Sequence, residues 1–194
     1  GQNRILIVPG ANHDFDANHA ADSIKSIPGL SIVIGQCEVP QSITTAAFKV
    51  AKERGALTIL NPAPYEDLSP ELLAVTDWLI PNEVEFEEFI GKAPTSETLA
   101  QFRPGKNSIV TLGDKGAVLI STDGSLTSIA TTKVQAVDST GAGDCFIGSF
   151  SFSLASGSDA QSAAEFACRI AAFSVTRKGA QSSYPSAAEI STLS

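Results

Sequence analysis

Methionine is missing altogether from the 194 residues, the initiator included, so the chain is expected to be processed or to be a piece of a longer protein. Basic residues are scarce: 13 Lys and Arg stand against 21 Asp and Glu, a formal net charge of -8. That balance argues against a nucleic-acid partner, which a basic face would serve. Long apolar runs are lacking too. The longest, Ile5-Leu6-Ile7-Val8 and Ile32-Val33-Ile34, fall far short of the ~20 residues that cross a bilayer. No membrane partner is therefore expected. The opening Gly1-Gln2-Asn3-Arg4 has no apolar segment of the secretory kind. Three cysteines, Cys37, Cys145 and Cys168, are scattered, with no metal-ligand spacing and no disulfide framework. A reducing, cytoplasmic setting fits them.

What is there is an alternation of short apolar runs and amphipathic stretches. Strands are expected at Arg4 to Val8, Leu30 to Gly35, Ala56 to Leu60, Asp77 to Ile80, Ser108 to Leu112, Ala117 to Ser121, Ser128 to Thr131 and Val134 to Val137. Helices are expected at Ala17 to Ser26, Ser42 to Arg54, Pro70 to Val75, Glu83 to Ile90, Thr95 to Phe102, Ala142 to Ala155 and Asp159 to Thr176. Asn82 can cap the helix that follows it, and the acidic first turn suits the helix dipole. Asp123-Gly124 is a hairpin signal. Strands alternating with helices imply an α/β fold, a doubly wound and mainly parallel sheet with helices on both faces, over one domain spanning 1–194. Ligands of such sheets gather at the carboxyl ends of the strands. Asn61, Asn82, Thr111 to Gly113 and Asp138 to Thr140 cluster there.

The strongest chemical signal is Asp138-Ser139-Thr140-Gly141-Ala142-Gly143-Asp144, set before an apolar helix. Its glycines permit a sharp turn and close approach of the backbone to a ligand. The unpaired N–H groups at the start of the helix, with its dipole, attract an anion such as phosphate. An Asp in the first turn can take a proton from a hydroxyl that attacks that phosphate. An ordinary strand-to-helix turn would also explain the segment. It is not a dinucleotide fingerprint, and no Gly-Lys-Ser/Thr of a P-loop occurs.

Asp-Ser/Thr-x-Gly-Ala-Gly-Asp resembles the C-terminal signature of the ribokinase-like carbohydrate kinases, the PfkB family. Further blocks look like the same family in the same order: Gly1-Gln2-Asn3-Arg4-Ile5 with Pro9-Gly10-Ala11-Asn12, Asn61-Pro62-Ala63-Pro64, Pro81-Asn82-Glu83-Val84-Glu85, Thr111-Leu112-Gly113-Asp114-Lys115-Gly116, and Val175-Thr176-Arg177-Lys178-Gly179-Ala180-Gln181. The last is the one most like the ribose-phosphorylating members.

The resemblance implies a role for each matching residue. Asp144 would be the catalytic base, and the backbone of Gly141, Ala142 and Gly143 would form the anion hole. Asn82 and Glu85 would position the triphosphate and its Mg2+, through water. Thr111, Leu112, Gly113, Asp114, Lys115 and Gly116 would border ATP, as would Cys168, where the family often has Asn or His. Asp138 would ligate K+, completed by the carbonyls of Thr140, Ser174, Arg177 and Gly179 and the Ser183 hydroxyl. Glu38 would bind the sugar. Taken from the residues alone, Glu85 is one more acid on a solvated helix, Thr111 to Gly116 an ordinary hairpin, Asp138 a helix cap, and Glu38 a solvated strand end. Cys145 is expected to be a small buried residue, and His13 and His19 surface groups.

The family implies ATP-dependent phosphorylation of D-ribose. The family's N-terminal sugar motif and β-sheet lid find no match, so a lid-mediated homodimer is not expected, and the chain by itself is expected to be a poor catalyst. The alternatives are a non-catalytic nucleotide-binding or interaction fragment, or a kinase for another sugar or a nucleoside.

Overall fold

The computed structural model describes residues 8–102, 104 and 106–192. The chain divides into two compact units, Gly1–Thr76 and Asp77–Ser194. The expected strand Arg4 to Val8 lies, except for Val8, outside the described residues.

The first unit is a strand–helix–strand crossover with flanking helices. Helix α1 (Ala17–Ser26) starts where the Asp16 carboxylate accepts from the Asn18 N–H at 2.7 Å. Strand β1 (Ile32–Gly35) and strand β2 (Leu57–Leu60) pair in parallel, Ile32 opposite Leu57 and Gly35 opposite Leu60. Between them runs α2 (Gln41–Glu53), which packs on α1, on both strands and on the short α3 (Pro70–Ala74). Phe48, Ala51, Ile59, Leu60 and Leu72 are wholly buried and make its core. Removing so much apolar surface from water is what holds such a unit together.

The second unit holds β3 (Trp78–Leu79), α4 (Glu83–Ile90), α5 (Ser96–Gln101), β4 (Asn107–Thr111), β5 (Ala117–Ile120), β6 (Leu126–Ile129), α6 (Ala142–Ala155), α7 (Ala160–Ser174) and α8 (Ala187–Ile190). Strands β3 and β4 are parallel; β4, β5 and β6 follow as antiparallel neighbours. All four residues of β5 are buried. Side chains alternate across a strand, so both faces of β5 are covered. Helix α7 packs on β5 and β6, α6 on α7, and α4 on β4. Phe146 and Phe150, one turn apart on α6, stack at 6.3 Å, and Trp78 meets the Phe150 ring edge-on at 5.1 Å. The α/β architecture is as expected.

Two details correct the sequence reading. The strand expected at Ser128 to Thr131 runs instead over Leu126–Ile129. Val134 to Val137 form no strand: this stretch is exposed coil. The N–H groups of Val137 and Asp138 both donate to the Val175 carbonyl, at 2.7 and 3.2 Å, rather than to a neighbouring strand. Helix α8 was not expected. No helix among the described residues is long and apolar enough to cross a membrane. Cys37, Cys145 and Cys168 are all buried, and none of them forms a disulfide.

Candidate active site

The loop 138–141 is held from both sides before it enters α6. The Asp138 carboxylate accepts from the Thr140 N–H at 3.0 Å and from the Gly179 N–H at 2.9 Å. Gly141 caps α6 with φ 76°. A left-handed residue with a side chain is strained there. A Cβ would also lie 2.8 Å from the Tyr184 hydroxyl and 3.1 Å from the Ala180 Cβ. The Ala142 N–H donates to the Ser139 carbonyl at 3.2 Å, and the Cys145 N–H to that of Gly141 at 2.9 Å. Among the described residues nothing accepts from the N–H groups of Gly141 and Gly143. Of the three amides expected to meet an anion, that of Ala142 therefore already has an internal partner. Asp144 is exposed in the first turn of α6, where the helix dipole favours its charge.

Hydrogen bonds to the charged form favour that form. The amides of Gly179 and Thr140, with the Thr140 hydroxyl, hold Asp138 well below the usual carboxylate range, down to about 2. Asp138 is thus an anion at any physiological pH, fit to meet a cation. The C-terminal end of α7 and the segment after it lie beside this loop. The Ser183 hydroxyl donates to the Ala180 carbonyl at 2.7 Å, which leaves its oxygen lone pairs to accept. The Ser174 carbonyl already accepts from the Arg177 N–H at 3.2 Å. Among the described residues no three His, Cys, Asp or Glu side chains gather as a metal cluster. A cation here would rest on one carboxylate together with carbonyl and hydroxyl oxygens.

At the carboxyl ends of β3 and β4, Asn82 and Glu85 form a capping box. The Asn82 side-chain oxygen accepts from the N–H groups of Val84 and Glu85, and the Glu85 carboxylate accepts from both nitrogens of Asn82. Asn82 is exposed, whereas Glu85 is buried. Asn82 pairs with Thr111 as an isolated parallel bridge. From Thr111 the chain turns through Gly113–Lys115 as a single 3-10 turn, closed by the Leu112 N–H donating to the Gly116 carbonyl at 2.8 Å. Thr111 and Leu112 are partly exposed, and Gly113, Asp114 and Lys115 are exposed. Gly116 is buried, and a Cβ on it would strike the backbone carbonyl of Ile129.

Cys168 is 4% exposed, and burial pushes its thiol up to about 11. Its carbonyl accepts from the Thr131 hydroxyl at 3.3 Å. A buried, neutral thiol offers a ligand little but a wall. Cys145 is buried as expected, and burial raises its thiol as well. His13 and His19 are exposed, His19 with its ring edge-to-face with Phe15. Glu38 is an exposed residue of the first unit, in the bend after β1. That bend is fixed where the Cys37 N–H donates to the Ala63 carbonyl and the Asn61 N–H to that of Gly35.

Sequence reasoning missed Tyr184 and the pairing of Arg177 with Glu189. The Tyr184 hydroxyl donates to the Gly141 carbonyl at 3.0 Å. Arg177 forms an ion pair with Glu189 of α8 and lies over the Phe173 ring at 4.2 Å. Ser186 and Glu189 form a capping box, and Ser-x-x-Glu was the one available signal for α8.

Fold and loop define a class: an α/β protein whose candidate site is a glycine-capped helix start bearing an acid. Residues 1–187 match the description pfkB family carbohydrate kinase, and the chain belongs to that family. A ribokinase of Schizosaccharomyces pombe is 36% identical over 98% of the chain, and a deoxyribokinase of Salmonella typhi is 36% identical over 95%. The structure of Arabidopsis thaliana ribokinase complexed with ribose and ATP superposes with a TM-score of 0.88, at 30% identity over 100% of the chain. The chain spans less than two thirds of these proteins: 63%, 62% and 65% of their lengths.

Proposed function

We propose that the chain forms the nucleotide-binding and phosphoryl-transfer part of an ATP-dependent kinase that phosphorylates D-ribose at its 5-hydroxyl. The observation that carries this reading is Asp144 exposed in the first turn of α6, directly after a glycine-capped loop with free amides. Asp144 takes the proton of the attacking hydroxyl. The amides around Gly141 and Gly143 face the charge that builds on the transferred phosphoryl group. Thr111 to Gly116 border the nucleotide, and Glu38 accepts sugar hydroxyls.

Mg2+ neutralises the triphosphate when bound. Both carboxylate oxygens of buried Glu85 already accept from Asn82, which suits contact with that ion through its water shell rather than directly. K+ suits the ionised Asp138, the Ser183 hydroxyl and the carbonyls of Thr140, Ser174, Arg177 and Gly179. When bound, such an ion would order the loop from outside the reaction centre. A reducing, cytoplasmic setting accords with three buried cysteines that form no disulfide.

Deoxyribose is the second acceptor to test, because a deoxyribokinase is among the similar proteins. The decisive assay is ATP-dependent phosphorylation of D-ribose, with Mg2+ and K+, run beside an ATP-binding titration. Transfer to D-ribose above 2-deoxy-D-ribose supports the proposal. Equal or better transfer to deoxyribose changes the acceptor. ATP binding without any transfer leaves the chain a nucleotide-binding unit.

A further inference from the structure

Three features of the second unit converge on one peptide group. The Tyr184 hydroxyl donates to the Gly141 carbonyl at 3.0 Å. The same carbonyl accepts from the Cys145 N–H at 2.9 Å. Ala180 stands so close that a Cβ on Gly141 would lie 3.1 to 3.2 Å from its atoms. A peptide group is planar and trans, so its C=O and the following N–H point in opposite directions. Fixing the Gly141 carbonyl therefore fixes the Ala142 N–H, and with it the start of the helix that carries Asp144.

From this geometry we infer that Tyr184 is a positioning residue for phosphoryl transfer, acting through the Gly141–Ala142 peptide. The inference rests on the proposed function for its kinetic consequence, though not for its structural one. A tyrosine suits the task. Its ring gives a rigid lever with few torsions, and its hydroxyl reaches the carbonyl from a segment that is itself anchored. Ser183 is fully buried, and its N–H and hydroxyl both donate to the Ala180 carbonyl. The Gly179 N–H binds Asp138. The segment 179–184 thus grips the loop 138–141 at both ends, at Asp138 and at Gly141.

The test is Tyr184→Phe, which keeps the ring and removes the donor. Two readouts are taken on variant and parent: kcat and KM for ATP and for D-ribose, and amide hydrogen exchange of residues 139–145. Losing one hydrogen bond of ordinary net strength corresponds to a factor of about two to ten. The expected result is a fall in kcat of that size, KM for ATP changed less than twofold, and faster exchange confined to 139–145. A uniform rise in exchange with kcat unchanged would reduce Tyr184 to a packing residue and overturn the inference, as would no change in either readout. If neither protein transfers phosphate, the proposed function fails, and local exchange alone still decides whether Tyr184 holds the loop.

Discussion

Asn82 and Glu85 exchange three hydrogen bonds of 2.8 to 2.9 Å: two from Asn82 nitrogens to the Glu85 carboxylate, and one back from the Glu85 N–H to the Asn82 side-chain oxygen. The pair reads as a metal motif in sequence, and in the fold it also starts a helix. Glu85→Gln separates the two roles. The Gln oxygen can keep one bond, but its NH2 opposes a donor. A loss of about 1 kcal/mol in unfolding free energy is expected, together with a several-fold rise in the Mg2+ needed for half-maximal transfer. A Mg2+ titration and a urea unfolding curve on the same variant check both.

Asp144→Asn keeps the shape of the first turn and removes the base. ATP affinity should stay within twofold, while kcat falls by about 10²- to 10⁴-fold, the usual weight of a general base. Near-parent transfer by this variant would assign the proton to another group.

Asp138→Ala should weaken the response to K+ more than the affinity for ATP, because the proposed ion orders the loop from outside the reaction centre. The check is a K+ titration of transfer at saturating ATP, set beside an ATP-binding curve.

Acid should loosen the same loop. Asp138 and Glu189 both have folded-state values held down to about 2, Asp138 by the amides of Gly179 and Thr140 and Glu189 chiefly by Arg177. A depressed carboxylate stabilises the fold above its unfolded value and loses that contribution as pH falls through its folded one. The unfolded values are 3.8 and 4.5, so the contribution is complete above the mid-4 range and fades toward pH 2. Thermal unfolding of the parent and of Glu189→Gln should differ at pH 7 and converge near pH 2.

Much of the fold was legible because its boundaries are written in capping residues. Asp16, Asn82 and Gly141 begin α1, α4 and α6 at the expected positions. The two valines of Val134 to Val137 suggested a strand, yet the stretch is coil, and the N–H groups at its end, those of Val137 and Asp138, go to the Val175 carbonyl far along the chain. No local pattern encodes that. The same holds at the candidate site. The run Asp138 to Asp144 announces itself, whereas Tyr184 reaches Gly141 across 43 residues and only the folded chain reveals the contact.

Gly116→Ala tests how tightly the turn after β4 is set. Its φ of 89° with ψ of -130° belongs almost wholly to glycine, and the obstacle to a side chain is the rigid Ile129 carbonyl. A loss of about 2 kcal/mol or more is expected from a urea midpoint.

The burial of all three native thiols has a practical side. In the folded chain a maleimide dye finds no native cysteine at the surface, so one engineered cysteine at an exposed position such as Lys133 becomes the single point of attachment. A fluorophore there sits in the coil that leads to Asp138, and its signal can test the proposed ordering of that loop by ATP or K+ without first stripping the protein of its own cysteines.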